Sequence, residues 1–241
     1  MSVISVNGLP GVGKTLISTH LALKHFKKEN TILKRLFRKI RKKEVWNNNV
    51  YSNFPILLNK RKKIYSNKLS IYDLKNQWKF KPNSLLMIDE IQLFYDSDEY
   101  KIFPRIIANF NQAHRHFLIK DIIYISQHPS RVVKKLRNVV SEYYRIKTKF
   151  MIPILKIGFI SVRITYEFED YESAFTKDKD LRKLKDIKSK IFFINFRKVY
   201  KSYDTIYLLP LNEDKPLIDK GTYDSLILSG NDKKDLENVL F

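Results

Sequence analysis

The chain contains no cysteine. A disulfide framework and a thiolate zinc site are therefore excluded. Long apolar runs are missing too. The longest candidate, Phe150 to Val162, covers 13 residues and includes Pro153 and Lys156, whereas a membrane-spanning helix needs about 20. No signal-peptide pattern opens the chain, which runs straight into an apolar stretch. Acids are scarce: 25 Asp plus Glu stand against 46 Lys plus Arg, a formal charge of +21. That excess calls for an anionic partner beyond a single nucleotide, either nucleic acid or an acidic membrane surface. A Lys-rich composition from AT-rich coding accounts for it equally well. Hydrophobic residues make up 44% of 241, which supports a sizeable core and one large α/β domain. No internal repeat is present.

The chain is organised around Gly8-Leu9-Pro10-Gly11-Val12-Gly13-Lys14-Thr15. These residues satisfy every fixed position of the phosphate-loop pattern G-x-x-x-x-G-K-[ST]. Val3, Ile4 and Val6 precede it as a short buried strand, and Leu16, Ile17, His20, Leu21, Leu23 and Phe26 follow at helical spacing. Strand, glycine loop and helix together let main-chain N–H groups and the helix dipole meet phosphates. The expected nucleotide-binding residues are Gly8 to Thr15 with Leu16. Lys14 is expected on the β- and γ-phosphates and Thr15 on Mg²⁺.

Further along, Leu85-Leu86-Met87-Ile88-Asp89-Glu90 reads as a buried strand that delivers two carboxylates at its C-terminal end. In this Walker B pattern Asp89 is the expected Mg²⁺ residue, and Glu90 would orient and polarise the attacking water. Asp121 to Gln127 reads as another buried strand, placing Ser126 and Gln127 where a polar group meets the γ-phosphate or the water. Between them, Ile102 to Phe117 reads as a helix opened near Pro104, with Ile106, Ile107, Phe110 and Ala113 on its apolar side. The helix closes on His114-Arg115-His116, whose two histidines do not face each other and make a poor metal pair.

The other segments are less specific. Residues 24–43 carry ten cations against Glu29 alone. They read as a solvated helix face or loop, or as a patch that meets phosphates. Val50 to Ile56 looks like the second strand, ended by Pro55. Lys60-Arg61-Lys62-Lys63 is a second basic cluster. Ile71 to Leu74 forms a short element, and Arg131 to Val140 reads as a basic helix. Tyr143–Phe150 and Ile157–Phe168 read as a hairpin joined around Pro153 and Gly158. Residues 176–190 read as a solvated loop or helix, and the tail from Pro210 to Phe241 as polar, with a short apolar run at Leu226–Leu228.

Five pieces, in order, resemble the zonula-occludens-toxin-like (Zot) family of P-loop ATPases. They are Gly8–Thr15, Val50-Tyr51-Ser52-Asn53-Phe54-Pro55, Ile88-Asp89-Glu90-Ile91-Gln92, His114-Arg115-His116, and Ser126-Gln127-His128-Pro129-Ser130. They cover roughly residues 1–145. Tyr200-Lys201-Ser202-Tyr203 resembles a closing element. The family includes assembly ATPases of filamentous bacteriophages and lies near the FtsK–HerA translocases. The resemblance implies an α/β, RecA-like P-loop NTPase with a mainly parallel sheet flanked by helices. It implies ATP hydrolysis with Mg²⁺ and a motor for viral DNA packaging, translocation or virion extrusion. Residues 1–145 would form the NTPase core; 146–241 would complete the same domain with a β-hairpin extension and a charged tail.

Expected partners are ATP, single- or double-stranded DNA, and further copies of the chain in a ring, with a hexamer the natural form. In such a ring Arg115 is expected to reach a neighbour's γ-phosphate, with Arg105, Arg131 and Arg137 as rivals. Many members carry a transmembrane helix after the ATPase domain, and none is evident here. That leaves a soluble protein of the host cytoplasm, one docked on a separate membrane protein at the inner membrane, or a fragment. Two other readings stay open: a small nucleotide or metabolite kinase, and a nucleotide-gated non-motor protein acting at a membrane. The glutamate after Asp89 argues against the kinase, which needs no activated water.

Overall fold

The computed structural model describes residues 1–75, 80–93, 95–96, 103–169 and 188–203. The tail from Pro210 and residues 176–187 lie outside the described residues. Along the chain come β1 (Ser2–Asn7), α1 (Lys14–Glu29), α2 (Ile32–Ile40), β2 (Val50–Ser52), β3 (Leu57–Asn59), β4 (Ile64–Tyr65), β5 (Asn67–Lys68), α3 (Ile71–Lys75) and β6 (Ser84–Ile88). They are followed by α4 (Arg105–Ala113), β7 (Ile119–Ser126), α5 (Lys134–Arg137), β8 (Glu142–Ile152), β9 (Ile157–Thr165), β10 (Lys188–Asn195) and α6 (Phe196–Tyr200).

Eight strands form one sheet in the order β10-β9-β8-β1-β7-β6-β2-β5. Every pairing from β8 to β5 is parallel, and β9 and β10 add antiparallel strands at the far edge. The parallel strands are covered on both faces, so their sequences are continuously apolar and their side chains alternate between two cores. Leu85 and Met87 of β6, Ile123 and Ile125 of β7, and Ile4 and Val6 of β1 pack with Leu16, Ile17, Leu23 and Phe26 of α1. Leu86, Ile88, Ile122, Tyr124 and Val3 pack on the opposite face with Ile107 and Phe110 of α4 and Leu136 of α5. Each fully buried Leu, Ile or Phe contributes about 1.5–3 kcal/mol of apolar transfer.

Several expected boundaries move. Strand β2 stops at Ser52, three residues before Pro55. Helix α4 ends at Ala113, leaving His114–His116 in the following turn, and its inward face is Ile107, Ala108, Phe110 and Asn111, while Ile106 is exposed. The basic helix expected over 131–140 shrinks to α5, preceded by a single 3₁₀ turn.

The hairpin is part of the central sheet: Ile4–Asn7 of β1 pair with Glu142–Arg145 of β8. Its turn falls at residues 153–156, with Lys156 in a left-handed conformation at φ 50°. Gly158 lies within β9, where a Cβ would stand 2.1 Å from the Phe150 carbonyl oxygen. Strand β10 starts in the last three residues of the stretch read as solvated and runs on to Asn195. Its first four residues are exposed, and burial begins only at Phe192 and Ile194.

Candidate active site

The phosphate loop leaves the C-terminal end of β1. Gly11 and Gly13 adopt φ 78° and 103°, conformations that L side chains rarely take. Gly13 is the N-cap of α1, and the first intrahelical bond runs from Ile17 N–H to Gly13 O at 3.0 Å. The N–H groups of Lys14, Thr15 and Leu16 precede that bond and are free for an anion at the positive end of the dipole. Leu16 contributes only its main chain there, since its side chain is buried in the α1 core. Leu9, Pro10 and Gly11 are exposed, and Val12 is half-buried.

Lys14 is buried, and its ammonium donates to Gly8 O at 2.8 Å and Leu9 O at 3.1 Å. Burial lowers its pKa, while the carboxylates of Glu90 and Asp89 pull it back up. The Thr15 hydroxyl donates to Asp89 Oδ2 at 2.7 Å. Asp89 stands one residue past the end of β6 and is almost fully buried. Burial pushes its carboxyl up to about 6, against the hydrogen bond from Thr15; the neighbouring Glu90 carboxylate raises it further.

Asn53, just past β2, fixes the Asp89 main chain. Asp89 N–H donates to Asn53 Oδ1 at 2.8 Å and Asn53 Nδ2 donates to Asp89 O at 3.0 Å. Glu90 then turns away at φ 50°, with its N–H on Asp89 Oδ1 at 2.9 Å and the Gln92 amide donating to its carboxylate.

Strand β7 lies between β1 and β6 in the sheet. Ser126 is in register with Asn7, the last residue of β1, and Tyr124 with Ile88, the last of β6. Gln127 therefore emerges between the phosphate loop and the Asp89–Glu90 pair, half-buried. Ser126 is tied inward, its hydroxyl donating to Asn7 Oδ1 at 2.8 Å. Arg115 lies at the other end of the sheet. It is exposed and donates to Met1 O at 3.3 Å, beside the start of β1, so it does not join the site of its own chain.

The arrangement suits a divalent cation. Two hard oxygens, Thr15 Oγ1 and Asp89 Oδ2, converge beside free N–H groups, and a cation would relieve the cost of keeping the buried carboxyl ionised. Mg²⁺ characteristically takes one or two protein oxygens and completes its shell with water and phosphate. Sequence reasoning missed the supporting residue Asn7, and saw Asn53 and Gln92 only as parts of runs. Their local sequence carried no signal that sets them apart from turn residues.

The solved structures resembling the chain include the N-terminal domain of zonular occludens toxin from Neisseria meningitidis, at 20% identity and TM-score 0.52, covering 84% of this chain and 98% of that one. Weaker likenesses are the genome packaging NTPase B204 of Sulfolobus turreted icosahedral virus 2 with AMPPCP (11% identity, TM-score 0.42, 62% of this chain and 76% of that one), and ATPases 2 and 3 of EssC from Geobacillus thermodenitrificans (10%, TM-score 0.37, 68% of this chain and 37% of that one). No curated protein matches. The family model described as Zonular occludens toxin (Zot) matches residues 2–205, and the chain, with its phosphate loop and its mostly parallel sheet, belongs to that family.

Proposed function

We propose that the chain hydrolyses ATP with Mg²⁺ and uses the energy to move phage-type DNA during virion assembly or extrusion. The observation that carries the reading is the Thr15–Asp89 bond at 2.7 Å with Glu90 as the next residue. It joins the end of the phosphate loop to the end of the carboxylate strand across an intervening strand. The loop N–H groups and Lys14 bind the β- and γ-phosphates; Thr15 and Asp89 hold the cation, which offsets charge on the phosphate oxygens. Glu90, held by the Gln92 amide, orients and polarises water for attack on the γ-phosphorus. Gln127 is the second polar group at that point.

The DNA part rests on charge. The turn between β3 and β4 presents Lys60, Arg61, Lys62 and Lys63, all exposed, beyond the C-terminal end of β2. The ring rests on Arg115: too far from its own loop, it serves catalysis only from a neighbouring copy, and a hexamer is the closed form that supplies it. Host cytoplasm is the compartment this reading requires. Steady phosphate release without an acceptor, raised by DNA, tests it; release only in the presence of a small-molecule acceptor would replace it with a kinase.

A further inference from the structure

Helix α2 turns its apolar face away from the protein. Ile32, Leu33, Leu36, Phe37 and Ile40 are 54–76% exposed, and no residue of the helix is buried. At 3.6 residues per turn these five fall within an arc of about 140°. Lys34, Arg35, Arg38 and Lys39 fill the other side, and that charged side attaches the helix to the body. Lys34 Nζ pairs with Glu29 Oε1 at 3.0 Å, and Arg38 donates to Asn30 Oδ1 at 3.1 Å and Glu29 O at 2.8 Å. The Arg35 guanidinium stacks over Trp46 at 4.6 Å. A surface helix normally does the reverse, burying its apolar stripe against the core. A contiguous exposed apolar face of this kind marks an interaction site.

The rim of the face is cationic. Lys39, Arg41, Lys42 and Lys43 are exposed beside it. The acids nearest in sequence are engaged, Glu29 with Lys34 and Glu44 with Lys81 at 3.2 Å.

We infer that α2 docks the protein on an anionic lipid bilayer, with the five apolar side chains in the headgroup–acyl boundary and the rim cations among lipid phosphates. Such a surface offers apolar depth and negative charge together. A second copy would bring the same cations face to face, and DNA has no apolar surface to cover five aliphatic and aromatic side chains. Among the described residues no helix is long and apolar enough to cross a membrane, so the contact is interfacial. Helix α1 separates α2 from the phosphate loop: its 16 residues span about 24 Å. The docked protein therefore keeps its nucleotide site clear of the lipid.

The absence of cysteine makes a direct test simple. In the full chain, Ile40→Cys carries an environment-sensitive fluorophore, and Lys62→Cys carries the same label as control. Vesicles of phosphatidylcholine with about one third phosphatidylglycerol are compared with phosphatidylcholine alone. A blue shift at position 40 with the anionic vesicles, and none at 62, is expected. Leu36→Asp with Phe37→Asp should cut co-sedimentation at least tenfold. Replacing Arg41, Lys42 and Lys43 by Gln should cut it about fivefold per cation. ATP hydrolysis in solution should be unchanged in both. Four results each overturn the inference: no shift at position 40, blue emission there in buffer alone because the chain itself covers the face, equal sedimentation of the Asp double variant, or a dimer in solution that this variant abolishes.

Discussion

Asn53 grips the main chain of Asp89 from both sides, accepting from its N–H at 2.8 Å and donating to its carbonyl at 3.0 Å. Each residue follows directly on one of two neighbouring strands, since β2 pairs with β6. The carboxylate therefore sits where the end of β2 puts it.

Asn53→Ala should leave a buried N–H and a buried C=O without partners, costing about 1–3 kcal/mol for each group. Its midpoint of urea unfolding should fall, and Mg-ATP turnover should fall at least tenfold. ADP binding without metal rests on the phosphate loop and should persist. An Asn53→Ala protein with wild-type stability and turnover would show that the clamp positions nothing.

Asp89 gives a pH signature. Its carboxyl is raised from 3.8 to about 6, chiefly by burial. A carboxyl whose pKa is higher folded than unfolded binds more protons in the folded state between those two values. Stability without nucleotide should thus fall as pH rises from about 4 to about 6 and stay lower above it. The shift corresponds to about 3 kcal/mol. Asp89→Asn should flatten that fall: its amide oxygen can keep the bond from Glu90 N–H, and its Nδ2 can donate to the Thr15 hydroxyl, which now donates to Asp89 Oδ2. Mg-ATP affinity should run the opposite way, rising through about pH 6 as the carboxylate ionises. Unfolding curves and nucleotide titrations across pH 4–8, flat in both proteins, would refute the assignment.

Arg115 lies at the far sheet end, beside Met1. If it serves a neighbour, Arg115→Ala and Lys14→Ala chains should each be inactive alone and regain activity when mixed. One supplies the guanidinium and the other the working loop; such an arginine is worth about 10³–10⁵ in kcat. Wild-type turnover by Arg115→Ala under assembling conditions, or a rate per chain independent of concentration, would remove the role.

DNA binding and lipid binding should separate. Replacing Arg61, Lys62 and Lys63 by Gln should flatten the log–log salt dependence of DNA affinity by about 0.7–0.9 for each phosphate no longer neutralised. Replacing Arg41, Lys42 and Lys43 should leave that slope unchanged. The reverse result would move the DNA-binding surface to the segment after α2.

The centre of the sheet was legible because a parallel strand buried on both faces writes itself as a plain apolar run, as Leu85–Ile88 and Ile122–Ile125 do. The loop and the two carboxylates were legible because phosphate chemistry fixes residue type and spacing together. The roles of Asn7 and Asn53 were not, because each side chain bonds across to a neighbouring strand, Asn7 to Ser126 and Asn53 to Asp89; Gln92 bonds to Glu90 two residues back, a spacing with no signature of its own. Strand β10 hid because its first residues, Lys188, Ser189 and Lys190, stand in solvent at the sheet edge, and because the outward Ile191 and Phe193 are as apolar as the buried Phe192 and Ile194, so no alternation shows. Helix α2 was visible as a basic stretch, but the attachment of its charged side to Glu29, Asn30 and Trp46 is a tertiary fact.

Hydrolysis by water that Glu90 activates is tested most directly by phosphate release from the wild-type chain and from Glu90→Gln, alongside binding of Mg-ATP to both. Steady acceptor-free release by the wild type, raised by DNA, is expected. Glu90→Gln should bind Mg-ATP within a few-fold of wild type and turn it over at least a hundredfold more slowly, in line with loss of a general base. Normal turnover by Glu90→Gln would rule that role out.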